Sequence, residues 1–211
     1  MSAPAALRAG TEQPPVAADH VDLWVIRLDL CTNAAGLEPL AAGERARAAR
    51  MRVGGERWGA ARAALRRVLG GCLGVEPRRV ALETGETGKP RLAPGSPLDL
   101  RFSLSHSGGF ALIAARLGME VGVDLERVRA DVRGEEIARD VLGMELRGAD
   151  FFRAWTRREA LAKACGRGLA APLPECEAER FSVLDCRVLP GFAAAVASEG
   201  HGWTLRTRPE G

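Results

Sequence analysis

In "VGVDLERVR", residues 121–129, Val121, Val123 and Leu125 alternate with Gly122, Asp124 and Glu126. Strict period-two alternation reads as a half-buried strand, and side chains two apart on a strand share a face. Asp124 and Glu126 therefore project together, opposite the valines. Like charges held side by side cost free energy unless a cation lies between them. Two readings stay open at this point: an edge strand with a solvated polar face, or a hard-cation site of the kind Mg²⁺ occupies beside phosphate oxygens.

Working outward, "RFSLS" (101–105) and "FALIAAR" (110–116) read as strands separated from the first stretch and from each other by "LGME" and "HSGG". "VDLWVIRLDL" (21–30) reads as a strand whose apolar phase changes after Val25, which suggests a bulge there. Three more strands are expected at 180–188, 192–198 and 203–208, and a short one near Val80 to Glu83. Helical spacing appears in the Arg-rich 43–52 segment. It is clearer in Trp58, Ala61, Leu65, Val68, Leu69, Cys72 and Leu73, with Gly74 as the stop. A weak helix is expected around Glu135 to Leu142 and a stronger one from Asp150 to Cys165. The Gly- and Pro-rich "TGETGKPRLAPGSP" (84–97) reads as an ordered loop or a run of turns. The pattern is α+β, with a boundary near Gly118: an N-terminal half at 19–118 and a C-terminal half at 119–211. Residues 1–18 read as a disordered leader, without the continuous apolar core of a signal peptide.

Composition narrows the function. The net charge of +3 comes from 30 basic and 27 acidic residues in 211, well interspersed. That is not a polyanion-binding tail, and no nucleic-acid-binding motif is present. No apolar run reaches membrane-spanning length. The five cysteines (Cys31, Cys72, Cys165, Cys176, Cys186) are odd in number and lack C-x-x-C spacing, which points to reduced thiols and a cytoplasmic protein.

Only two of the 30 basic residues are lysines, Lys89 and Lys163. In a chain that otherwise uses arginine, a lysine marks a place that needs a compact ammonium. In "WTRREALAKACGRGL" (155–169), Glu159 and Lys163 are i, i+4 and share a helix face. They form either a surface ion pair or, with Trp155 drawing that side inward, a metal and phosphate site. Lys89 lies between Gly88 and Pro90, in either an ordinary turn or a ligand-binding one. In "FSLSHSGG", Ser105 and His106 point to opposite faces of a strand and cannot act as a nucleophile–base pair. His106 with the Ser107-Gly108-Gly109 that follows reads better as a set of phosphate donors, or His106 as a satisfied structural histidine.

Taken in order, the Arg-rich helix, "GKP", "FSLSHSG", "GVDLE" and "WTRREALAKACGRGL" resemble the Sfp-type 4'-phosphopantetheinyl transferases, over about residues 44–170. The resemblance implies a pseudo-dimer of two similar halves, each a helix packed on an antiparallel sheet, with coenzyme A and Mg²⁺ between them. It implies transfer of phosphopantetheine from coenzyme A to a serine of an acyl or peptidyl carrier protein of polyketide, nonribosomal peptide or fatty-acid synthesis, releasing 3',5'-ADP. Matched motif by motif, Asp124, Glu126 and Glu159 are the implied Mg²⁺ ligands, and Glu159 and Lys163 the catalytic pair. Arg47, Arg57, Lys89, Pro90, Ser105, His106 and Lys163 are the implied coenzyme A contacts. A monomer is expected, because two halves in one chain already supply the cleft. The competing readings are a catalytically silent coenzyme A-binding module and a metal-dependent phosphohydrolase.

Overall fold

The computed structural model describes residues 16–85, 88–130, 136, 138–167 and 179–209. A four-stranded sheet has the order β4 (Leu100–Ser107), β5 (Phe110–Leu117), β1 (His20–Arg27), β9 (Thr204–Arg208). A three-stranded sheet has the order β6 (Val121–Arg127), β8 (Phe192–Glu199), β7 (Phe181–Asp185). Neighbouring strands are antiparallel except β1 and β9, which pair in parallel. Through that pair the last strand joins the first sheet, where buried Asp22 of β1 accepts from Arg206 and Arg208 of β9, both Nε atoms at 2.7 Å.

Three short helical segments precede the main helix of the first half: a 3-10 turn at Leu28–Cys31, α1 (Ala34–Leu37) and α2 (Ala42–Arg50). The main helix, α3 (Gly55–Leu73), ends at Gly74 with φ +67°, a left-handed cap that glycine adopts without steric cost. Its small face of Ala60, Ala61 and Ala64 packs with Leu65 and Leu69 on Trp24, Ile26, Phe102, Ile113 and Ala115. The second helix, α4 (Gly148–Ala164), lies on the other sheet, where Ala160 and Ala164 meet Ala195 and Ala197. Between the sheets, Val21, Leu23, Leu112 and Ala114 face Val121, Val123, Leu125 and Val196. The layers are therefore helix, sheet, sheet, helix. This is the α+β arrangement expected, one helix on each mainly antiparallel sheet.

Two local expectations are corrected. No bulge occurs near Val25, since β1 pairs with β5 in unbroken register from Asp22↔Ala115 to Arg27↔Phe110. The change of phase has another cause: β1 is central and buried on both faces. Val21 and Leu23 face the inter-sheet core, while Trp24 and Ile26 face α3. The segment 84–97 is not turns alone, because β3 (Pro90–Leu92) pairs with β2 (Leu82–Thr84). Pro90 is the first residue of β3, a place where a missing N–H is tolerated.

Of the expected leader, residues 1–15 lie outside the described residues. Val16 packs on the first core, and the Ala18 carbonyl accepts from Arg116 Nε at 2.8 Å. Glu135 of the weak helix is also outside them, and Ala138–Leu142 forms one wide π-type turn. Cys72 and Cys186 are free thiols, and Cys176 is outside the described residues. No described helix is long and apolar enough to cross a membrane.

Candidate active site

Strand β6 is at the edge of its sheet and lies alongside β4, the edge of the other. Backbone groups on an unpaired edge need partners when buried, and here side chains supply them. Ser103, Ser105 and Ser107 Oγ of β4 accept from the N–H groups of Val123, Leu125 and Arg127 at 3.1, 3.3 and 3.1 Å. Lys89 Nζ donates to the Val121 carbonyl at 2.9 Å and Lys163 Nζ to the Val123 carbonyl at 3.1 Å. Both lysines of the chain thus meet carbonyls of one strand, a task for a compact multi-donor ammonium.

The other face of β6 is set by Gly122. A Cβ there would lie 2.0 Å from the Ala160 carbonyl oxygen and 2.5 Å from the Ala164 nitrogen. Only glycine lets α4 approach this closely. Gly122, Asp124 and Glu126 share a face by strand periodicity, so this approach draws Glu159 and Lys163 of α4 to the two carboxylates.

Asp124 is 4% exposed and Glu159 5% exposed, so neither belongs to a solvated surface. Asp124 Oδ1 accepts from Ser105 Oγ at 2.8 Å and from Lys163 Nζ at 2.6 Å. Glu126 Oε2 accepts from Ser107 Oγ at 3.1 Å. Asp124 Oδ2 and Glu159 Oε1 are buried without a hydrogen-bond partner. Burial, with Asp124 next, pushes the Glu159 carboxyl up to about 7, and Lys163 only partly offsets this. Burial and then Asp124 also raise Glu126. These are the marks of carboxyl groups withdrawn from water and, second to that, placed beside another carboxylate.

The fit to a cation rests on those oxygens. An all-carboxylate donor set with two unpartnered buried oxygens suits a hard, oxygen-seeking divalent ion. Among the described residues no three such groups are already drawn together tightly enough to hold a metal ion. The cation in contact with Asp124 is instead the Lys163 ammonium.

The remaining expected residues fall in two places. His106 is exposed at the end of β4. Partial burial, then the positive charges of Lys163 and Arg57, hold its imidazole below the usual histidine range. Arg47 stacks its guanidinium over Trp58 at 4.9 Å, joining α2 to α3. Arg57 is exposed in the first turn of α3. Lys89 and Pro90 are set apart, in the wall of a cavity of about 1080 Å³ that also includes Arg101, Glu120, Arg167 and Phe181. Its lining does not include Ser105, His106, Asp124, Glu126, Glu159 or Lys163. Lys89 Nζ also donates to Lys163 O at 2.8 Å and Glu120 Oε2 at 3.3 Å, which with Val121 O occupies its three protons.

Reading the sequence missed the roles of Ser103, Ser107 and Gly122. The signal was there: "S-L-S-H-S" on β4 has the same period of two as "V-D-L-E-R" on β6. Ser107-Gly108-Gly109, expected as phosphate donors at a strand end, closes the β4–β5 hairpin. Gly108 and Gly109 have φ +56° and +92°, suited to the tight two-residue turn.

No family model matches the chain. Individual relatives do. It is 36% identical to the 4'-phosphopantetheinyl transferase HetI of Nostoc sp. over 216 residues, which cover 88% of this chain and 90% of HetI. It is 34% identical to the 4'-phosphopantetheinyl transferase AcpT of Escherichia coli O157:H7 over 130 residues, 50% of this chain and 65% of AcpT. With the 4'-phosphopantetheinyl transferase of Bacillus subtilis it shares 27% identity over 111 residues, 47% of each. With a layered α+β fold, a buried carboxylate cluster and a relative matched over most of both chains, the protein is a transferase. It belongs to the 4'-phosphopantetheinyl transferase family.

Proposed function

We propose that this enzyme moves the 4'-phosphopantetheine group of coenzyme A onto a serine hydroxyl of an acyl or peptidyl carrier protein and releases 3',5'-ADP. In this reading Mg²⁺ is held by Asp124, Glu126 and Glu159. The observation that carries it is the pair of buried, unpartnered oxygens, Asp124 Oδ2 and Glu159 Oε1, the first on a carboxylate paired with Lys163. Pure binding of a ligand has no need of three mutually repelling carboxylates.

In the proposed reaction the serine Oγ–P bond forms as the P–O bond to 3',5'-ADP breaks, and the hydroxyl proton passes to Glu159. When bound, Mg²⁺ neutralises charge on the diphosphate and on the leaving nucleotide. Glu159, raised toward neutrality, is suited to taking a proton directly or through a water. Lys163 sits one helical turn on and offers a point charge to a phosphate oxygen. His106, Arg57 and Arg47 offer donors at the outer edge for the 3'-phosphate. Lys89 and Pro90 contribute from the cavity wall, and Ser105 acts through Asp124. The halves proposed at 19–118 and 119–211 meet at this site: the first supplies the β4 serines, the second the carboxylates.

The reading carries with it a cytoplasmic monomer serving polyketide, nonribosomal peptide or fatty-acid synthesis, with no nucleic-acid or membrane partner. The test is release of 3',5'-ADP from coenzyme A, followed with and without apo-carrier protein and Mg²⁺. Release that needs both supports the proposal. Release without a carrier would make the protein a phosphohydrolase. Coenzyme A binding with no release under any condition would make it a silent binding module.

A further inference from the structure

We propose that Ser105 and Ser107 are positioning residues that choose which oxygen of Asp124 and Glu126 is offered to a metal. The inference rests on the metal reading above. Each serine hydroxyl has one proton and two acceptor lone pairs. Ser105 Oγ accepts from the Leu125 N–H and so turns its proton to Asp124 Oδ1 at 2.8 Å. Ser107 Oγ accepts from the Arg127 N–H and turns its proton to Glu126 Oε2 at 3.1 Å. The strand backbone thus fixes the hydroxyl, and the hydroxyl fixes the carboxylate. On Asp124 the consequence is visible: Oδ1 carries two hydrogen bonds and Oδ2 none.

Ser103 separates this role from simple edge-pairing. It makes the same contact to β6, accepting from Val123 N–H at 3.1 Å. The β6 residue in register before Asp124 on the carboxylate face is Gly122, which has no side chain to orient. The three serines therefore share a structural task, and only two of them touch an acid. Outer groups that hydrogen-bond metal ligands typically matter by about 10- to 100-fold in metal affinity.

The test titrates purified full-length protein with Mn²⁺ in the presence of coenzyme A, following the free Mn²⁺ resonance by electron paramagnetic resonance, with thermal unfolding measured alongside. Ser107→Ala and Ser105→Ala are expected to weaken Mn²⁺ binding by roughly 10- to 100-fold. Ser107→Thr, which keeps the hydroxyl, is expected to restore most of it. Ser103→Ala is expected to lower the unfolding temperature by a similar amount while leaving Mn²⁺ affinity within twofold of wild type. Equal Mn²⁺ affinity in wild type, Ser105→Ala and Ser107→Ala would overturn the inference alone. So would a loss in Ser103→Ala as large as in Ser107→Ala. A wild-type protein that binds no Mn²⁺ would overturn the metal reading itself.

Discussion

Lys163 Nζ lies 2.6 Å from Asp124 Oδ1 and 3.1 Å from the Val123 carbonyl oxygen, so one ammonium ties helix α4 to both the backbone and the carboxylate of β6. Removing it leaves a 4%-exposed aspartate without its cation. Lys163→Ala is therefore expected to cost about 1.5–3 kcal/mol of stability, the scale of a hydrogen bond to a charged group, together with most of the transfer rate. Urea unfolding measures the first. An unchanged midpoint would mean that the contact contributes nothing to the fold.

The Glu159 carboxyl is raised from 4.5 to about 7, burial being the larger cause and Asp124 the next. Between those values the folded protein holds a proton that the unfolded chain has released. The stability this group contributes is therefore full below about pH 4.5 and falls as pH rises through 7. His106, with its lowered imidazole, acts in the opposite direction, so the comparison must cancel it. In metal-free buffer, Glu159→Gln is expected to gain on wild type steadily as pH rises across this range. Added Mg²⁺ should reverse the trend, because it binds the deprotonated form. A pH-independent difference between the two proteins would contradict the assignment.

The alternation in "VGVDLE" was enough to place Asp124 and Glu126 on one face, and the helical spacing enough to place Glu159 and Lys163 on another. Their meeting was harder to read. It depends on Gly122 admitting α4, a close approach that no local pattern encodes. The i, i+4 spacing suggested a Glu159–Lys163 pair, yet the ammonium goes across the interface to Asp124 Oδ1, 2.6 Å away. The apparent bulge at Val25 arose because period-two reasoning assumes one buried face, and β1 has two. Lys89 was legible as unusual but not in its partners, since the carbonyls it meets belong to β6 and α4, more than thirty residues away.

Lys89 has its three protons directed to Glu120, Val121 O and Lys163 O. Lys89→Ala is accordingly expected to lower stability by about 1.5–3 kcal/mol by leaving two carbonyls without their donor. Parallel measurement of unfolding and of KM for coenzyme A separates the two roles considered for it. A raised KM with unchanged stability would assign Lys89 to the ligand rather than to the seam between the sheets.

Gly122→Ala places a methyl group against the backbone of α4, where no flexible side chain can yield. The expected cost is about 1–3 kcal/mol, the usual range for overpacking. Because the helix must shift, kcat should fall as well. The reference is Gly71→Ala, a site with open space around the added methyl. Equal behaviour of the two variants in unfolding and in turnover would show that helix–strand distance does not position Glu159.

The central claim is tested most directly by intact-mass spectrometry of an apo-carrier protein incubated with coenzyme A, Mg²⁺ and enzyme. Wild type is expected to add the mass of one phosphopantetheine at the carrier's serine. Asp124→Ala should add none while keeping its fold by circular dichroism. Glu159→Gln should be slowed about 10²- to 10⁴-fold, the usual contribution of a general base, if Glu159 accepts the proton. Full rescue of Glu159→Gln by excess Mg²⁺ would leave it only a ligand role. An unmodified carrier with wild-type enzyme, across several apo-carriers and with coenzyme A shown to bind, would contradict the account.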